Sequence, residues 1–293
     1  MSYLDGTVFL DGRFVRADRA RVSVFDRGLL YGDGLFETMR AYRGCVFALD
    51  EHLSRLRQSA DVLGIALPQR DWRGTLVELL RRNGLGAKDA WVRLNLTRGS
   101  AAPDILPPDG VLPTVFALVK PVASGFSDVQ RVGARVTLLT YSRHGFMPEH
   151  KTLNYLPTIL GKAAAARRGA YEGLFVRDGR YLMEGTSSSV FLVRGNALQT
   201  PPVAGILPGV TRRVIQQLAE SEGLRVVEKE TPVAALKKAD EVFLTSSVAE
   251  VVPITRLDDT SIGGGTPGPI TLLLQRKYRA FARRAAAADH CRP

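Results

Sequence analysis

The apolar and polar positions change period several times along the chain, and each change marks an element. Thr7-Val8-Phe9-Leu10 and Arg13-Phe14-Val15 flank Asp11-Gly12, a hairpin turn signal, so the chain opens on two strands. The glycine-punctuated segment DRGLLYGDGLFETMRAYRG runs from Asp26 to Gly44, and its alternating end, Phe36 to Tyr42, predicts a strand. Leu53, Leu56, Ala60 and Leu63 recur at helical spacing within Leu49 to Ile65, as do Trp72, Leu76, Leu79 and Leu80 within Asp71 to Asn83. Both segments are predicted amphipathic helices. Strand signals return at Ala90 to Thr97 and Leu112 to Val119, separated by GSAAPDILPPDG, whose prolines and glycines make it a loop.

A break at Pro121 to Asp128 precedes a second half that begins on a strand, Ala134 to Leu139. A polar, histidine-containing stretch then ends at Lys151, and a helix over Pro157 to Arg168 stops at Gly169. Gly173 to Val176 and Val190 to Val193 read as strands with MEGTSSS between them. GILPGVTRRVIQQLAESEGL, Gly205 to Leu224, is a turn leading into a helix; Glu241 to Thr245 is an apolar strand followed by Ser246-Ser247; Thr271 to Ala288 is a closing helix. There is no internal repeat, and the elements do not alternate as regular βαβ units, so the class is α+β. The break divides the chain into a small N-terminal domain, 1–121, a linker, 122–128, and a larger C-terminal domain, 129–293, that carries Lys151.

Composition narrows the function. The 293 residues are 45% hydrophobic and 24% charged, ample for a core and ordinary for a globular protein. Two cysteines, Cys45 and Cys291, predict no disulfide framework and a reducing, cytoplasmic setting. No basic stretch leads into an apolar run at the start, and no apolar run is long enough to span a bilayer. A net charge of +11 raises the question of nucleic acid, with the densest group at Arg276, Lys277, Arg279, Arg283 and Arg284. No recognition motif accompanies these cations, and a dispersed, arginine-rich surface that meets small anions accounts for them more simply. His144, Glu149 and His150 match no familiar zinc spacing, so no metal is expected.

Several positions carry candidate chemistry. A coenzyme with an aldehyde, a phosphate and a ring nitrogen needs a lysine, an arginine with backbone N–H groups, and a carboxylate. Lys151 precedes a helix in an aromatic and amide context, Arg55 shares a helix face with His52, and Leu207-Pro208-Gly209-Val210-Thr211 opens a helix whose N-terminus suits an anion. Ser246 and Ser247 follow a strand, and Glu184 precedes small polar residues. On the residues alone each also reads blandly: Lys151 as a solvated loop lysine, Arg55 as a surface arginine, Thr211 as part of a helix cap, Ser246-Ser247 as a turn, Glu184 as a loop carboxylate.

In combination and in order, DRGLLYGDGLFETMRAYRG, EHLSRL, KTLNYL, YLMEGTSSSVFLV, GILPGVTR and EVFLTSSVAEVVPI resemble the class IV aminotransferases, the fold type IV pyridoxal-phosphate enzymes. The resemblance implies a small N-terminal α/β domain and a larger C-terminal domain with a mixed or barrel-like β core. It implies that Lys151 forms a Schiff base with pyridoxal 5'-phosphate. It also implies that Arg55, the backbone of Val210, Thr211 and Ser246 hold the phosphate, that Glu184 bonds the ring nitrogen, and that Leu207 packs on the ring. A homodimer with shared active sites, acting on small amino acids and 2-oxo acids, is the implied assembly.

Within the family, FETMR and WVR align Arg40 and Arg93 with arginines of branched-chain enzymes, and SSVAE aligns Ser246, Ser247 and Val248 with the turn that receives the substrate carboxylate. Phe36, Thr38 and Trp91 complete the implied substrate surface. Thr38, Trp91 and Val248 depart from the branched-chain pattern. The D-amino-acid enzymes resemble this chain in GDG, yet SAAPDIL after TRG lacks their further arginine and histidine. The 4-amino-4-deoxychorismate lyases share YGDGLFET, including Thr38, but TRGSAAPD lacks their substrate arginine. Branched-chain-like transamination is therefore expected first, then D-amino-acid transamination, then the lyase. A non-catalytic coenzyme-binding protein is the rival of another class.

Overall fold

The computed structural model describes residues 5–123, 125–140 and 147–288. Within them the chain divides into two compact units, one of 5–122, 150–154 and 282–288, the other of 123, 125–140, 147–149 and 155–281. The division differs from the contiguous one expected. Lys151 groups with the first unit rather than the C-terminal one, and a helix, Phe126–Val132, runs through the end of the segment read as a linker.

The first unit contains strands β1 (Thr7–Leu10), β2 (Arg13–Arg16), β3 (Gly34–Tyr42), β4 (Cys45–Val46), β5 (Ala90–Thr97) and β6 (Thr114–Pro121), with helices α1 (Arg27–Tyr31), α2 (Leu49–Leu63) and α3 (Trp72–Arg82). The strands form one antiparallel sheet in the order β2-β1-β6-β5-β3-β4. Its buried cluster joins Leu35, Met39 and Ala41 of β3 and Val92, Leu94 and Leu96 of β5 to Leu53 and Leu56 of α2 and Leu76, Leu79 and Leu80 of α3. Each fully buried leucine contributes about 1.5–3 kcal/mol. Asp71 caps α3 by accepting from Gly74 N at 2.9 Å, and α2 ends at Gly64 in the left-handed region, φ 62°.

The second unit contains β7 (Ala134–Leu138), β8 (Glu172–Arg177), β9 (Tyr181–Gly185), β10 (Ser189–Arg194), β11 (Ala197–Thr200), β12 (Arg225–Glu228), β13 (Thr231–Pro232), β14 (Glu241–Ser246), β15 (Glu250–Leu257) and β16 (Thr260–Ser261). Helices α4 (Phe126–Val132), α5 (Leu156–Arg167), α6 (Val210–Ser221) and α7 (Pro269–Ala288, through Phe281) accompany them. The sheet is mixed: β7 lies parallel to both β8 and β15, β11 is parallel to β12, and the remaining pairs are antiparallel. Val136, Leu174, Val190, Leu192, Val242, Leu244, Val252 and Ile254 belong to its core, with Phe126 and Val129 of α4 packed against them. No helix among the described residues is long and apolar enough to cross a membrane.

Candidate active site

β3 carries different chemistry on its two faces. Leu35, Met39 and Ala41 face the helix-covered core, and strand alternation puts Glu37 on their side, fully buried. A lone carboxylate there would be costly, and α2 answers it with two residues one turn apart. Arg55 Nε donates to Glu37 Oε1 at 2.8 Å and an Arg55 terminal nitrogen donates to Oε2 at 2.6 Å. His52 Nδ1 lies 2.8 Å from the same Oε2; the carboxylate only accepts, so Nδ1 carries the proton. Burial pushes the Glu37 carboxyl up, but the Arg55 charge and the hydrogen bonds outweigh it and hold the group well below the usual carboxylate range. Burial, aided by the charges of Arg55 and Lys151, keeps His52 below its ordinary value against the pull of Glu37, so the ring is neutral near pH 7.

The opposite face of β3 presents Phe36, Thr38 and Arg40. Across the ladder they meet Asn95, Arg93 and Trp91 of β5, so all six share one face. Near its start β3 is free of β4, which pairs only with Ala41 and Tyr42, and the backbone around Lys151 takes that edge. Phe36 N donates to Lys151 O and Leu153 N donates to Gly34 O, both at 2.9 Å, with a bridge between Leu35 and Thr152. His150 Nδ1 lies 3.1 Å from Ser59 Oγ of α2, which ties down the start of this segment. His144 and Cys291 lie outside the described residues.

These contacts gather the first group of expected site residues. Lys151 Nζ lies 4.6 Å from the centroid of the Phe36 ring, and the Arg93 guanidinium lies 3.7 Å from the same centroid. Arg93 Nε also donates to Asn95 Oδ1 at 2.8 Å. Arg40 is engaged differently: it pairs with Asp89 at 2.8 Å and stacks 4.8 Å from the Tyr42 centroid. Glu37 was absent from the sequence expectations. Its signal was present in FETMR, where alternation sends residue 37 away from 36, 38 and 40 and toward the helix bearing His52 and Arg55.

The second unit gathers the other expected residues. Glu184 lies inside β9, buried, and accepts from Leu207 N at 3.2 Å. α6 begins at Val210 with Gly209 as its N-cap, a residue with no side chain to cap the first amides. A Cβ on Gly209 would come within 2.9 Å of Ser189 Oγ, and Ser189 pairs with Thr245 of β14. The start of α6 therefore approaches the end of β14, one residue from Ser246. Thr211 is buried, its Oγ1 3.5 Å from the Tyr278 hydroxyl. Ser246 Oγ accepts from Ala249 N at 3.2 Å, shaping the half-buried turn that holds Ser247 and Val248. Beneath the small-residue run, buried Glu172 pairs with Lys162 at 3.1 Å and accepts from Ser187 at 3.2 Å; burial pushes its carboxyl up despite Lys162.

The donor set suits a phosphorylated pyridine aldehyde. A helix N-terminus entered through a glycine, which keeps backbone approach open, suits an anion. A buried carboxylate next to it is matched to a protonated ring nitrogen; in the first unit, Lys151 carries a primary amine of the kind an aldehyde captures.

Comparison with known proteins agrees. The profile of the amino-transferase class IV family matches residues 34–257. A Methanocaldococcus jannaschii protein named as a candidate branched-chain-amino-acid aminotransferase is 39% identical over 277 residues, covering 93% of this chain and 95% of that protein. The D-alanine aminotransferase of Bacillus licheniformis is 36% identical over 271 residues, covering 92% and 94%. Among solved structures, the Escherichia coli branched-chain amino acid aminotransferase superposes with a TM-score of 0.89 at 27% identity, covering 96% of each chain. A hypothetical aminotransferase from Mycobacterium tuberculosis, solved in its PLP-bound form, gives 0.83 at 26% identity, covering 97% of this chain and 100% of that one.

Proposed function

The chain belongs to the amino-transferase class IV family, and on that premise we propose that it uses pyridoxal 5'-phosphate to move amino groups between hydrophobic, branched-chain-like amino acids and a 2-oxo acid such as 2-oxoglutarate. The observation that carries the substrate assignment is the Phe36 ring, with Arg93 3.7 Å and Lys151 Nζ 4.6 Å from its centroid. A hydrophobic side chain needs ring surface near the reacting amine, and the side-chain carboxylate of glutamate needs a cation there. Phe36, Trp91 and Arg93 supply both from one sheet face, with Thr38 between them. Arg40, paired with Asp89, is assigned the lesser part.

When bound, the coenzyme supplies an aldehyde for amine capture and a cationic ring that takes up the electron pair left at Cα. Lys151 Nζ is the covalent anchor and, once freed, the base that moves the Cα proton. Glu184 holds the proton at the ring nitrogen, and Leu207 packs against the ring. Arg55, held in place by Glu37, binds the phosphate with the Val210 backbone, Thr211 and Ser246. The Ser246-Ser247-Val248 turn receives the α-carboxylate. The functional unit is a homodimer of the cytoplasm. D-Amino-acid transfer is the second reading, supported by the D-alanine aminotransferase relatives.

The test is donor profiling with L- and D-amino acids against 2-oxoglutarate and pyruvate, with aminodeoxychorismate included. Leucine, valine and glutamate are the expected donors. Arg93→Ala is expected to lower kcat/KM for glutamate about ten- to hundredfold, the worth of one charged hydrogen bond, while sparing leucine. Arg40→Ala is expected to do less. Turnover of D-alanine alone, or cleavage of aminodeoxychorismate, would replace the first reading; equal loss for leucine and glutamate would remove Arg93 from its role.

A further inference from the structure

The turn between β14 and β15 is held from behind by residues remote in sequence. Glu250, which opens β15, is buried and has φ 58°, a left-handed conformation in which glycine is the unstrained choice. A side chain kept at such a position has a use, and the contacts of Glu250 show it. Its Oε2 accepts from Arg279 Nε of α7 at 2.9 Å and from Gln130 Nε2 of α4 at 3.4 Å. Gln130 Nε2 also donates to Ala249 O at 2.7 Å, and Gln130 Oε1 accepts from an Arg279 terminal nitrogen at 2.5 Å. Gln275, one helical turn before Arg279, donates to Gln130 O at 3.0 Å and to Val251 O at 3.1 Å.

Two helices thus fix three consecutive residues, Ala249, Glu250 and Val251, through buried and charge-assisted hydrogen bonds. The same turn is tied across its front by Ala249 N donating to Ser246 Oγ. We infer that Arg279 and Gln130, acting through Glu250, are positioning residues that set the affinity of the Ser246–Val248 turn for the substrate carboxylate. This rests on the proposal that the turn receives that carboxylate. None of the three touches substrate; each holds the backbone that does. Preorganisation of this kind acts on binding more than on proton transfer, because the transfer belongs to Lys151.

The experiment uses the coenzyme-loaded protein and its Arg279→Ala, Arg279→Lys, Glu250→Gly and Gln130→Ala variants. Three quantities are read: binding of an unreactive carboxylic acid, 4-methylvalerate, by calorimetry; KM and kcat for the 2-oxo acid; and hydrogen exchange of peptides covering 246–252 without added acid. Arg279→Ala and Glu250→Gly are expected to weaken 4-methylvalerate binding and raise KM about tenfold or more, with kcat within about threefold. Exchange over 246–252 should quicken, and Arg279→Lys should restore part of the affinity by keeping one charged donor. Glu250→Gly relieves the backbone strain while deleting the carboxylate, so a loss there reports the clamp. If Arg279→Ala does not fold, Gln130→Ala carries the same test. A wild type that binds no carboxylate overturns the reading of the turn and this inference with it. Variants that bind like a competent wild type overturn this inference alone.

Discussion

At the scale of single residues, Glu37 is the group whose surroundings decide most. Its two carboxylate oxygens are matched by the Arg55 fork and the His52 ring inside a closed core. Glu37→Gln leaves the Arg55 guanidinium buried without its countercharge, an expected cost of about 3–5 kcal/mol in urea denaturation. The pH dependence has a definite sign. Glu37 titrates below its unfolded 4.5 and His52 below its unfolded 6.5, so the folded state binds fewer protons than the unfolded state in both windows. Their stabilisation is present above those values and is lost as pH falls through the lower folded ones. His52→Gln should flatten the decline just below pH 6.5 and Glu37→Gln the decline below 4.5; variant curves parallel to wild type would contradict the assignment. Lys151→Arg keeps a cation near Phe36 but removes the amine proposed to anchor the coenzyme. Visible absorption that borohydride fixes to the chain should vanish, and turnover should fall about 10²–10⁴-fold, the usual worth of a general base.

At the scale of elements, the placement of Lys151 depends on β3. Gly34 pairs with Thr97, and a Cβ on it would meet Leu96 O at 2.6 Å and Leu153 Cδ1 at 2.8 Å. Gly34→Ala must move backbone or the Lys151 segment, at an expected cost of about 1–3 kcal/mol, with slower covalent coenzyme loading. A variant that melts and loads like wild type would show that this packing does not position the lysine. The sequence made β3, β5, α2, α3, α6 and α7 legible because each keeps one unbroken period. It hid α4, whose Phe126, Val129 and Gln130 follow a glycine and a proline break, and β15, where Pro253 interrupts a strand. Pro253 is tolerated there because pairing with β7 starts only at Ile254. Lys151, Arg55 and Glu184 stood out only in the company of the other motifs. The attachment of Lys151 to the first unit comes from backbone pairing between segments over a hundred residues apart, and no local period records such a contact.

At the scale of the whole molecule, the first unit leaves an apolar surface that a folded chain rarely leaves uncovered. Val24, Phe25 and Leu29 are well exposed near α1, and Ile105, Leu106 and Leu112 are more than four-fifths exposed on the loop after β5. These are not frayed ends. Buried Arg27 donates to Asp104 O at 2.6 Å and to Ile105 O at 2.8 Å while pairing with Asp33 at 2.9 Å, and Ala101 N donates to Phe25 O. A loop held this firmly with its leucine and isoleucine outward is a preformed contact surface, and a second copy of the chain is its expected cover. Each such side chain contributes about 1.5–3 kcal/mol once buried, so two or three of them per subunit decide the association. Sedimentation of the wild type should give twice the 32.0 kDa chain mass. Leu106→Asp, at a side chain well exposed in the single chain, should leave each unit folded and shift the mass toward one chain, with amino-transfer activity falling alongside if the subunits share their sites. A wild type that sediments as a single chain, or a Leu106→Asp variant of undiminished mass, would assign the patch to something other than a twin subunit.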